Sequence, residues 1–376
     1  MNDYALNISS GNVTMPSNAA YNWGTGAFSV LALVKPTSSG TGTIVSRKPT
    51  AGGTNNGGWL LVIEKSNVIK FATDDGFGYY QVTATASNLH DGYWHFIAAV
   101  RSTSGTLSIY VDGIALKTTV STNRSTPLNI NNSIPMMIGG TAQSTEPCNQ
   151  FSGMVINVSI WTTALTQQQV IAAMVNPVNA ASTVGCWTLN NNYTDSSPTK
   201  NNGTATGSSI GFVTLYMTMP FNMQPQTQSN WCWAAVSTSV SIFYNPLSTW
   251  TQCLVANACL NLTTCCASPS SSQCNVYGYL DLALTKTGNF VSMTSSTTSF
   301  ANCTTQMNSW RPLGARQAWS GGGAHFVAMS GISVTSGSQY VTIRDSIYGT
   351  STILYSKFVS GYQGSGSWTH SYFTKP

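Results

Sequence analysis

Three residues that can support nucleophilic catalysis follow one another in the second half of the chain: Cys232, His325 and Asp345. A thiol attacks a carbonyl only as a thiolate, which a helix N-terminus and a neighbouring imidazole both favour. Cys232 begins the segment CWAAVSTSVSIFY, whose apolar positions predict a buried helix. We therefore predict Cys232 as a nucleophile. The alternative is a disulfide partner or a buried core thiol.

The base that this thiol needs has two candidates in the second half, His325 and His370. His325 follows glycines 321–323 and opens the run HFVAMSG, which predicts a ring at a strand edge beside an open groove. A base is oriented by an acceptor on its second nitrogen. After His325 the chain has no Glu and no Asn, and its one acid is Asp345. We expect His325 as the base and Asp345 as the carboxylate that orients it.

An oxyanion hole combines the backbone N–H of the nucleophile with a further donor. The polar loop before the predicted helix offers two side-chain amides, Gln226 and Gln228. Gln226 stands six residues before Cys232, close enough for its amide to reach the same carbonyl oxygen. The residues themselves leave the choice between the two glutamines open.

The composition bounds the partners of the protein. Of 376 residues only 7% are charged and 42% are hydrophobic, and the net charge is +5. No run of Lys or Arg could follow a phosphate backbone, and no stretch approaches the roughly 18 apolar residues of a membrane span. We expect neither a nucleic-acid partner nor a membrane span. The length predicts two domains.

The first half predicts an all-β sandwich. Short β-branched and aromatic runs recur between clusters of Gly, Asn, Ser and Thr, and one segment from Leu165 has helical spacing after a Thr cap. The pattern changes after GTATGSSIG, so we place the domains at 1–212 and 213–376. In the second domain a helix comes first, and the runs HFVAMSGISV, YVTIRD and TILYSKF predict antiparallel strands after it.

The order of segments in the first domain resembles the laminin-G-like branch of the concanavalin A-type jelly rolls, over residues 1 to about 205. The matching pieces are YWHFIAAVR with LSIYVDGIAL, MMIGG, FSGMVINVSIWTTALTQQQV and GCWTLNNNYTDSSPTKNNGTATG. Such domains bind glycans or protein surfaces, sometimes with calcium. The resemblance implies a glycan or cell-surface ligand, with Trp94 and His95 as core or strand-face residues.

Calcium is a weaker implication of this resemblance. The acidic residues often found in the closing strand are replaced by residues 155–157, which read Val-Ile-Asn. An Asp-Gly pair is more often a hairpin turn than a calcium ligand. The remaining possible oxygen ligands are Asp74, Asp75, Asp112 and Asp195.

From about residue 214 onward, the segment QTQSNWCWAA and the Gly-rich approach to His325 resemble papain-like cysteine proteases. Gaps of about ninety and about twenty residues in the order Cys, His, Asp fit the branch of bacteriocin-processing peptidases and effector proteases. The resemblance implies Gln226 as the oxyanion donor, because six residues is the spacing of that family. Ser346 stands where these relatives often have Pro, which we interpret as a changed turn.

Cysteine usage predicts an oxidising compartment. Nine cysteines leave one thiol over after eight have paired, and we expect the unpaired thiol to be Cys232. The other six cysteines of the second half are predicted to form three disulfides, with Cys265 and Cys266 held by separate partners. A zinc cluster is disfavoured, because no CxxC pair and no nearby His is present. We expect a secreted chain whose export signal is absent from this sequence.

Together these features predict a secreted thiol peptidase that acts on peptides or proteins, needs no cofactor for catalysis and is targeted by its β-sandwich. Small or apolar substrate side chains are expected. Two alternatives stay open. The same triad could run acyl transfer or deamidation, or the chain could be a non-catalytic adhesin or lectin-like protein whose protease fold is a relic.

Overall fold

The computed structural model describes residues 3–50, 52–142, 150–175 and 182–376. The chain divides into two compact units, Asn2–Leu215 and Tyr216–Pro376, which are described separately below. Across the described ranges, no helix combines the length and the apolar character that a bilayer span requires.

The first unit is built from antiparallel strands and one α-helix. Within its described ranges these elements are β1 (Tyr4–Met15), β2 (Phe28–Pro36), β3 (Gly42–Arg47), β4 (Gly58–Ile63), β5 (Val68–Asp74), β6 (Tyr79–Thr85), β7 (His95–Arg101), β8 (Leu107–Val111), β9 (Ile114–Ala115), β10 (Thr119–Thr122), β11 (Met136–Ile138), β12 (Gly153–Trp161), α1 (Gln167–Val175), β13 (Thr183–Trp187) and β14 (Thr204–Thr214).

These strands form the predicted sandwich. The hydrogen-bonded order is β10-β6-β5-β4-β3-β11-β1-β12-β2-β7-β8-β9, with β13 paired to β12 and β14 to β1. Strands β5 and β6 also contact β8, so the path folds over on itself around a core. Phe28 packs against Trp59 and Phe71 there, with ring centroids 5.4 and 5.8 Å apart. Strands β3, β4 and β7 are buried along their whole length, whereas all four residues of β10 are exposed.

The second unit places helices before most of its sheet. Its elements are α2 (Cys232–Tyr244), α3 (Gln252–Leu260), α4 (Leu280–Lys286), β15 (Phe290–Thr294), α5 (Phe300–Asn308), β16 (Leu313–Trp319), β17 (Ala324–Thr335), β18 (Ser338–Asp345), β19 (Gly349–Leu354), α6 (Tyr355–Val359), β20 (Ser360–Tyr362) and β21 (Gly366–Thr374). The sheet runs β15-β21-β16-β17-β18-β19, all antiparallel, with β20 paired to β21.

Only the first part of the predicted strand TILYSKF is a strand, and the rest is helical. Strand β19 ends at Leu354, which pairs with Tyr340 near the start of β18. The chain then turns into the short helix α6, which buries Phe358 against Tyr362 and Trp368. Burial of this aromatic ring favours a helical turn over continued pairing at the sheet edge.

The disulfide prediction is partly wrong. Cys265 and Cys266 do have separate partners, in the bridges Cys265–Cys274 and Cys253–Cys266. Cys259 and Cys303, predicted to complete a third bridge, instead carry free thiols on the different helices α3 and α5. The cysteine count alone could not distinguish these free thiols from half-cystines.

The first unit also contradicts the prediction that eight of the nine cysteines pair and leave one free thiol. Cys186 carries a buried free thiol, while Cys148, its expected partner by count, lies outside the described residues. Cys232 is therefore one of several unpaired thiols, and its assignment depends on its surroundings instead of on the odd total.

His95 at the start of β7 is buried in the first unit, as expected of a core residue. Its Nδ1 lies 2.8 Å from Asp112 Oδ2, and its Nε2 lies 3.1 Å from Asp91 Oδ1. Burial by itself lowers the pKa of His95, but the hydrogen bonds and charges of Asp112 and Asp91 outweigh it and raise the pKa to about 9. Both ring nitrogens are thus held by carboxylates.

Replacing His95 should make the stability of the sandwich depend less on pH. Because the folded pKa of His95 exceeds the usual 6.5, its stabilisation is fully present below about pH 6.5 and is lost as pH rises through about 9. His95→Gln should therefore lower the free energy of unfolding by up to about 3 kcal/mol more near pH 6 than near pH 10. Denaturant unfolding at both pH values measures this.

His90→Gln is the matched control for this experiment. His90 bonds to the side-chain oxygen of Asn67 and the carbonyl of Gly40, not to carboxylates. Its replacement removes no ion pair with a carboxylate. The loss in the free energy of unfolding should therefore not be larger near pH 6 than near pH 10 in the way expected for His95→Gln. Equal pH dependence of the two variants would contradict the assigned role of the carboxylates.

Candidate active site

Cys232 lies in the first turn of α2, a helix with twelve of its thirteen residues buried. The N-cap residue, Trp231, makes no side-chain capping hydrogen bond. The first helical bond runs from the N–H of Ala235 to the carbonyl of Trp231, so the earlier N–H groups have no acceptor within the helix. This positive helix end favours negative charge that develops close to it, as on a bound carbonyl oxygen.

The sheet brings His325 and Asp345 together, 20 residues apart in sequence. His325 is the second residue of β17 and Asp345 is the last of β18, and these strands are antiparallel neighbours. Their adjoining ends therefore meet at one edge. His325 Nε2–H donates to Asp345 Oδ1 at 2.8 Å, and both side chains are buried. This bond leaves Nδ1 as the ring nitrogen available to Cys232.

The electrostatics of the three groups are mutually reinforcing. Burial alone would lower the pKa of His325, but hydrogen bonds and charge interactions with Asp345 and Cys232 raise it to about 9. Burial alone would raise the pKa of Asp345, but the hydrogen bond and charge of His325 hold it below its usual range. Asp345 and His325 therefore each favour the charged form of the other.

Tyr362 is a site residue that sequence reasoning missed. Its hydroxyl donates to Asp345 Oδ2 at 2.7 Å, while the backbone N–H groups of Ile347 and Tyr348 donate to Oδ1 at 2.8 and 3.0 Å. These donors fix the carboxylate and add to the lowering of its pKa. Nothing in the sequence marked Tyr362, because β20 approaches through a turn and a helix that the strand pattern did not predict.

Aromatic rings enclose the imidazole of His325. Trp319 stacks on it at 6.2 Å with an interplanar angle of 17°, and Tyr348 meets it edge-on at 6.3 Å. Trp319 also stacks against Tyr362. Such packing restricts the ring to one orientation and limits competition from water for its bond to Asp345.

Gln226, predicted as the oxyanion donor, is tied to the turn after Asp345. Its backbone N–H donates to the carbonyl of Ser346, and its Oε1 accepts from Ser346 Oγ at 3.0 Å. Its Nε2 donates to the carbonyls of Gln228 and Ser229 at 2.9 and 2.8 Å. Ser346 therefore supplies a contact that Pro at this position could not make. Gln226 can serve an oxyanion only by exchanging one of its two amide bonds.

A cleft of about 590 Å³ opens beside Cys232. The segment 277–279, read Tyr-Gly-Tyr, lines it together with residues 323, 324 and 326 around His325. Gly278 packs so closely on Trp233 that a β-carbon would lie 2.3 Å from the indole. His370, the other histidine candidate, also lines the cleft, where it hydrogen-bonds to Thr369.

The cleft is polar at one end, where Asp281 and Arg316 contribute to its lining. Arg316 Nη1 donates to Thr369 Oγ1 at 3.0 Å. The rest of the lining is largely apolar and aromatic, including Met293, Phe326 and Tyr372. An extended chain with mainly apolar side chains fits this surface.

The four possible calcium ligands of the first unit all bond to protein donors. Asp74 pairs with Lys48, and Asp75 pairs with Arg124. Asp112 binds His95 and the N–H of Phe96. The carboxylate of Asp195 accepts the backbone N–H groups of residues 186, 197 and 201.

Among the residues that the structure describes, no three His, Cys, Asp or Glu side chains group as a metal would need. Calcium binding therefore stays a prediction.

Comparison with known proteins gives a separate finding for each half. Residues 7–171 match a family model described as the concanavalin A-like lectin/glucanases superfamily. Residues 213–359 match the model of the papain-like cysteine protease AvrRpt2. A search of curated proteins returned no match.

Several solved structures are similar to the chain. A putative carbohydrate binding protein from Bacteroides ovatus is 19% identical over 59% of this chain, with a TM-score of 0.43, and the chain spans 62% of its length. The CBM40 of the Ruminococcus gnavus IT-sialidase is 15% identical over 46% of this chain and 97% of its own, with a TM-score of 0.38. A SAP-like pentraxin from Limulus polyphemus is 16% identical over 56% of this chain and 94% of its own, also with a TM-score of 0.38.

The family matches confirm both resemblances and the predicted fold class. The protein joins a concanavalin A-like, laminin-G-type β-sandwich to an α+β papain-like cysteine protease domain.

Removing the carboxylate of Asp345 should weaken the pairing of His325 with Cys232. Because Asp345 raises the pKa of His325, Asp345→Asn should lower that pKa by about one to three units. Iodoacetamide should then alkylate Cys232 about tenfold more slowly near neutral pH, since less thiolate is paired with imidazolium. Alkylation rates measured against pH by mass spectrometry test this.

Asp281→Asn is the control. It removes a carboxylate from the cleft lining that makes no hydrogen bond to His325, so the alkylation rate of Cys232 should stay within about twofold. An unchanged rate in Asp345→Asn, or equal losses in both variants, would contradict the proposed coupling.

Proposed function

We propose that the second unit is a thiol peptidase that hydrolyses peptide bonds through Cys232, His325 and Asp345. The observation that carries this proposal is the buried His325–Asp345 hydrogen bond, which leaves the other imidazole nitrogen for a cysteine at an uncapped helix start. The match of residues 213–359 to a cysteine protease family supports the same reaction.

The proposed reaction begins when the Cys232 thiolate attacks a peptide carbonyl. The resulting oxyanion accepts hydrogen bonds from the backbone N–H of Cys232 and from the Gln226 amide, after that amide exchanges one loop carbonyl. His325 as imidazolium protonates the leaving amine, and the acyl-enzyme forms. His325 then takes a proton from water, which attacks the thioester and releases the acid.

The segment 277–279 offers a means of holding a peptide substrate. Tyr277 and Tyr279 are 78% and 73% exposed, and the backbone around Tyr279 is extended. No hydrogen bond occupies the N–H or C=O of Gly278 in the fully described residues 216–376. An extended peptide could pair with this backbone by β-augmentation, with its side chains against the tyrosines.

We propose that the sandwich unit targets the peptidase to a glycan or a protein surface outside the cell. Its match to a lectin and glucanase superfamily supports a carbohydrate ligand. Two disulfides in the protease unit support export, since such bridges persist in oxidising compartments.

The proposed nucleophile predicts selective labelling. Under non-reducing conditions an epoxide or iodoacetamide probe should label only Cys232 among the free cysteines that the structure describes, because burial raises the pKa of Cys259 to about 11, of Cys303 to about 12 and of Cys186 above its usual value. Cys232→Ser should lose labelling and at least about 10³-fold of peptide hydrolysis. Peptide mapping and a substrate library read out both.

Two outcomes would oppose this assignment. Labelling that survives Cys232→Ser would exclude Cys232 as the reactive thiol. Products that carry an added amine, or a deamidated side chain, would instead assign the same thiol to acyl transfer. Cys303→Ser serves as the control and should keep full activity, because its thiol lies in α5 outside the cleft lining.

The targeting proposal predicts that residues 1–215, expressed without the protease unit, bind glycans on an array. The full chain carrying Cys232→Ser should give the same binding profile, since the predicted nucleophile belongs to the other unit. Absence of binding in both proteins would contradict a glycan ligand and leave a protein surface as the target to be tested by pull-down.

A further inference from the structure

The two disulfides lie in one stretch of the protease unit. Cys253–Cys266 and Cys265–Cys274 cross-link residues 253–276, which we name the stapled loop. The stapled loop includes most of α3 and leads directly into the segment 277–279 that lines the cleft. Cys265 and Cys274 are fully buried, whereas Cys266 is exposed. The two bridges therefore differ in depth, and the buried one closes the end of the loop nearest the cleft.

The end of the stapled loop holds the two tryptophans that flank the nucleophile. Trp231 Nε1–H donates to the carbonyl of Cys274 at 2.7 Å, and Trp233 Nε1–H donates to the carbonyl of Val276 at 3.2 Å. Both indoles are buried. Cys232 thus lies between two side chains that are anchored to the backbone at and just after a half-cystine.

Asn275 completes the attachment on the loop that precedes the nucleophile. Its Oδ1 accepts the backbone N–H of Asn230 at 3.0 Å, and its carbonyl accepts Asn230 Nδ2 at 2.8 Å. Its own Nδ2 donates to Ser229 Oγ at 2.9 Å. Ser229 also offers its carbonyl to Gln226, the predicted oxyanion donor. Both parts of the predicted oxyanion hole are consequently positioned against residues 274–276.

The same short stretch continues into the wall of the cleft. Gly278 lies against the ring of Trp233, so the position of the tyrosines at 277 and 279 follows that of the anchored indole. Residues 261–276 form turns without helix or strand, and their backbone-to-backbone hydrogen bonds are local, such as those from the N–H groups of Cys274 and Asn275 to the carbonyl of Ser271. The covalent tie at Cys274 is what restrains a loop of this kind.

We propose that the Cys265–Cys274 disulfide is a positioning element of the active site, so that full activity requires this bridge oxidised while Cys232 is reduced. Its loss frees residues 274–276 and releases the acceptors of Trp231 and Trp233. The start of α2 and the cleft wall are then no longer held in a fixed position relative to each other. A displacement of about 1 Å at a reacting group can cost about a hundredfold in rate.

A dithiol reductant would act as an inhibitor by this route. Two electrons and two protons pass from the dithiol to the bridge, which yields the thiols of Cys265 and Cys274 and the cyclic oxidised form of the reductant. The exposed bridge Cys253–Cys266 should react first, and its reduction should leave activity largely intact. Activity should fall only when the buried bridge opens.

The test uses the full chain with matched double variants. Cys265→Ser with Cys274→Ser removes the buried bridge without leaving a stray thiol, and Cys253→Ser with Cys266→Ser removes the exposed one. For each protein, kcat and KM on a peptide substrate, the alkylation rate of Cys232 by iodoacetamide, and the melting temperature are measured. Asn275→Ala, which keeps both bridges, removes two side-chain hydrogen bonds of the same stretch and provides a second test if a double variant misfolds.

The expected result is a fall of at least about tenfold in both kcat and the alkylation rate for the buried-bridge variant, at a temperature where it is folded. Asn275→Ala should show a smaller fall in the same two quantities, and the exposed-bridge variant should stay within about twofold. Equal losses in both double variants that follow melting temperature would overturn the proposal in favour of general stability.

The inference rests on the proposed peptidase function, but the two can fail separately. A wild-type chain with a reactive Cys232 and peptidase activity, together with an unchanged buried-bridge variant, overturns only the positioning role. A wild-type chain that hydrolyses no peptide overturns the peptidase, while the alkylation rates still decide the positioning role. An unreactive Cys232 in the wild type overturns both.

Discussion

The hydrogen bond between His325 and Asp345 is the interaction on which the protease unit depends. A buried carboxylate is costly unless its oxygens are satisfied, and the structure meets that requirement with the imidazole, the Tyr362 hydroxyl and backbone N–H groups of the next turn. Strands β17 and β18 must be antiparallel neighbours for the two side chains to meet. The sheet order and the turn after Asp345 therefore follow from one polar contact as much as from apolar packing.

The nucleophile depends on a second constraint, the start of a helix inside the domain. Helix α2 is buried on all sides, so it lies in the core with little freedom to move. Its first turn receives no side-chain cap, which leaves N–H groups for chemistry and leaves the entrance loop to be held from elsewhere. Contacts of Trp231 and Asn230 with the stapled loop provide that support. The cross-linked stretch thus fixes the chain that enters α2, while the first N–H groups of the helix stay without a side-chain cap.

The sequence predicted the parts of this site that have a regular pattern. Apolar spacing predicted the helix that begins at Cys232, and the absence of other acids after His325 singled out Asp345. Contacts made by turns and loops could not be predicted from the sequence, because these segments have no periodic pattern of apolar residues. Tyr362 follows the short helix α6 in the chain. The pairing of the half-cystines depends on how the turns between residues 261 and 276 fold. Counting could not recognise Cys259 and Cys303 as free thiols for the same reason.

Two buried histidines have similar electrostatic surroundings, one in the sandwich and the other in the candidate active site. Each has a carboxylate at 2.8 Å and a pKa raised to about 9, in a chain of which only 7% of residues are charged. His95 gives its second nitrogen to another carboxylate, so its proton is locked in an ion pair on both sides. His325 leaves its second nitrogen to a thiol beside an open cleft. The occupant of that second nitrogen, more than burial or pKa, separates a group that stabilises the fold from one that can move a proton.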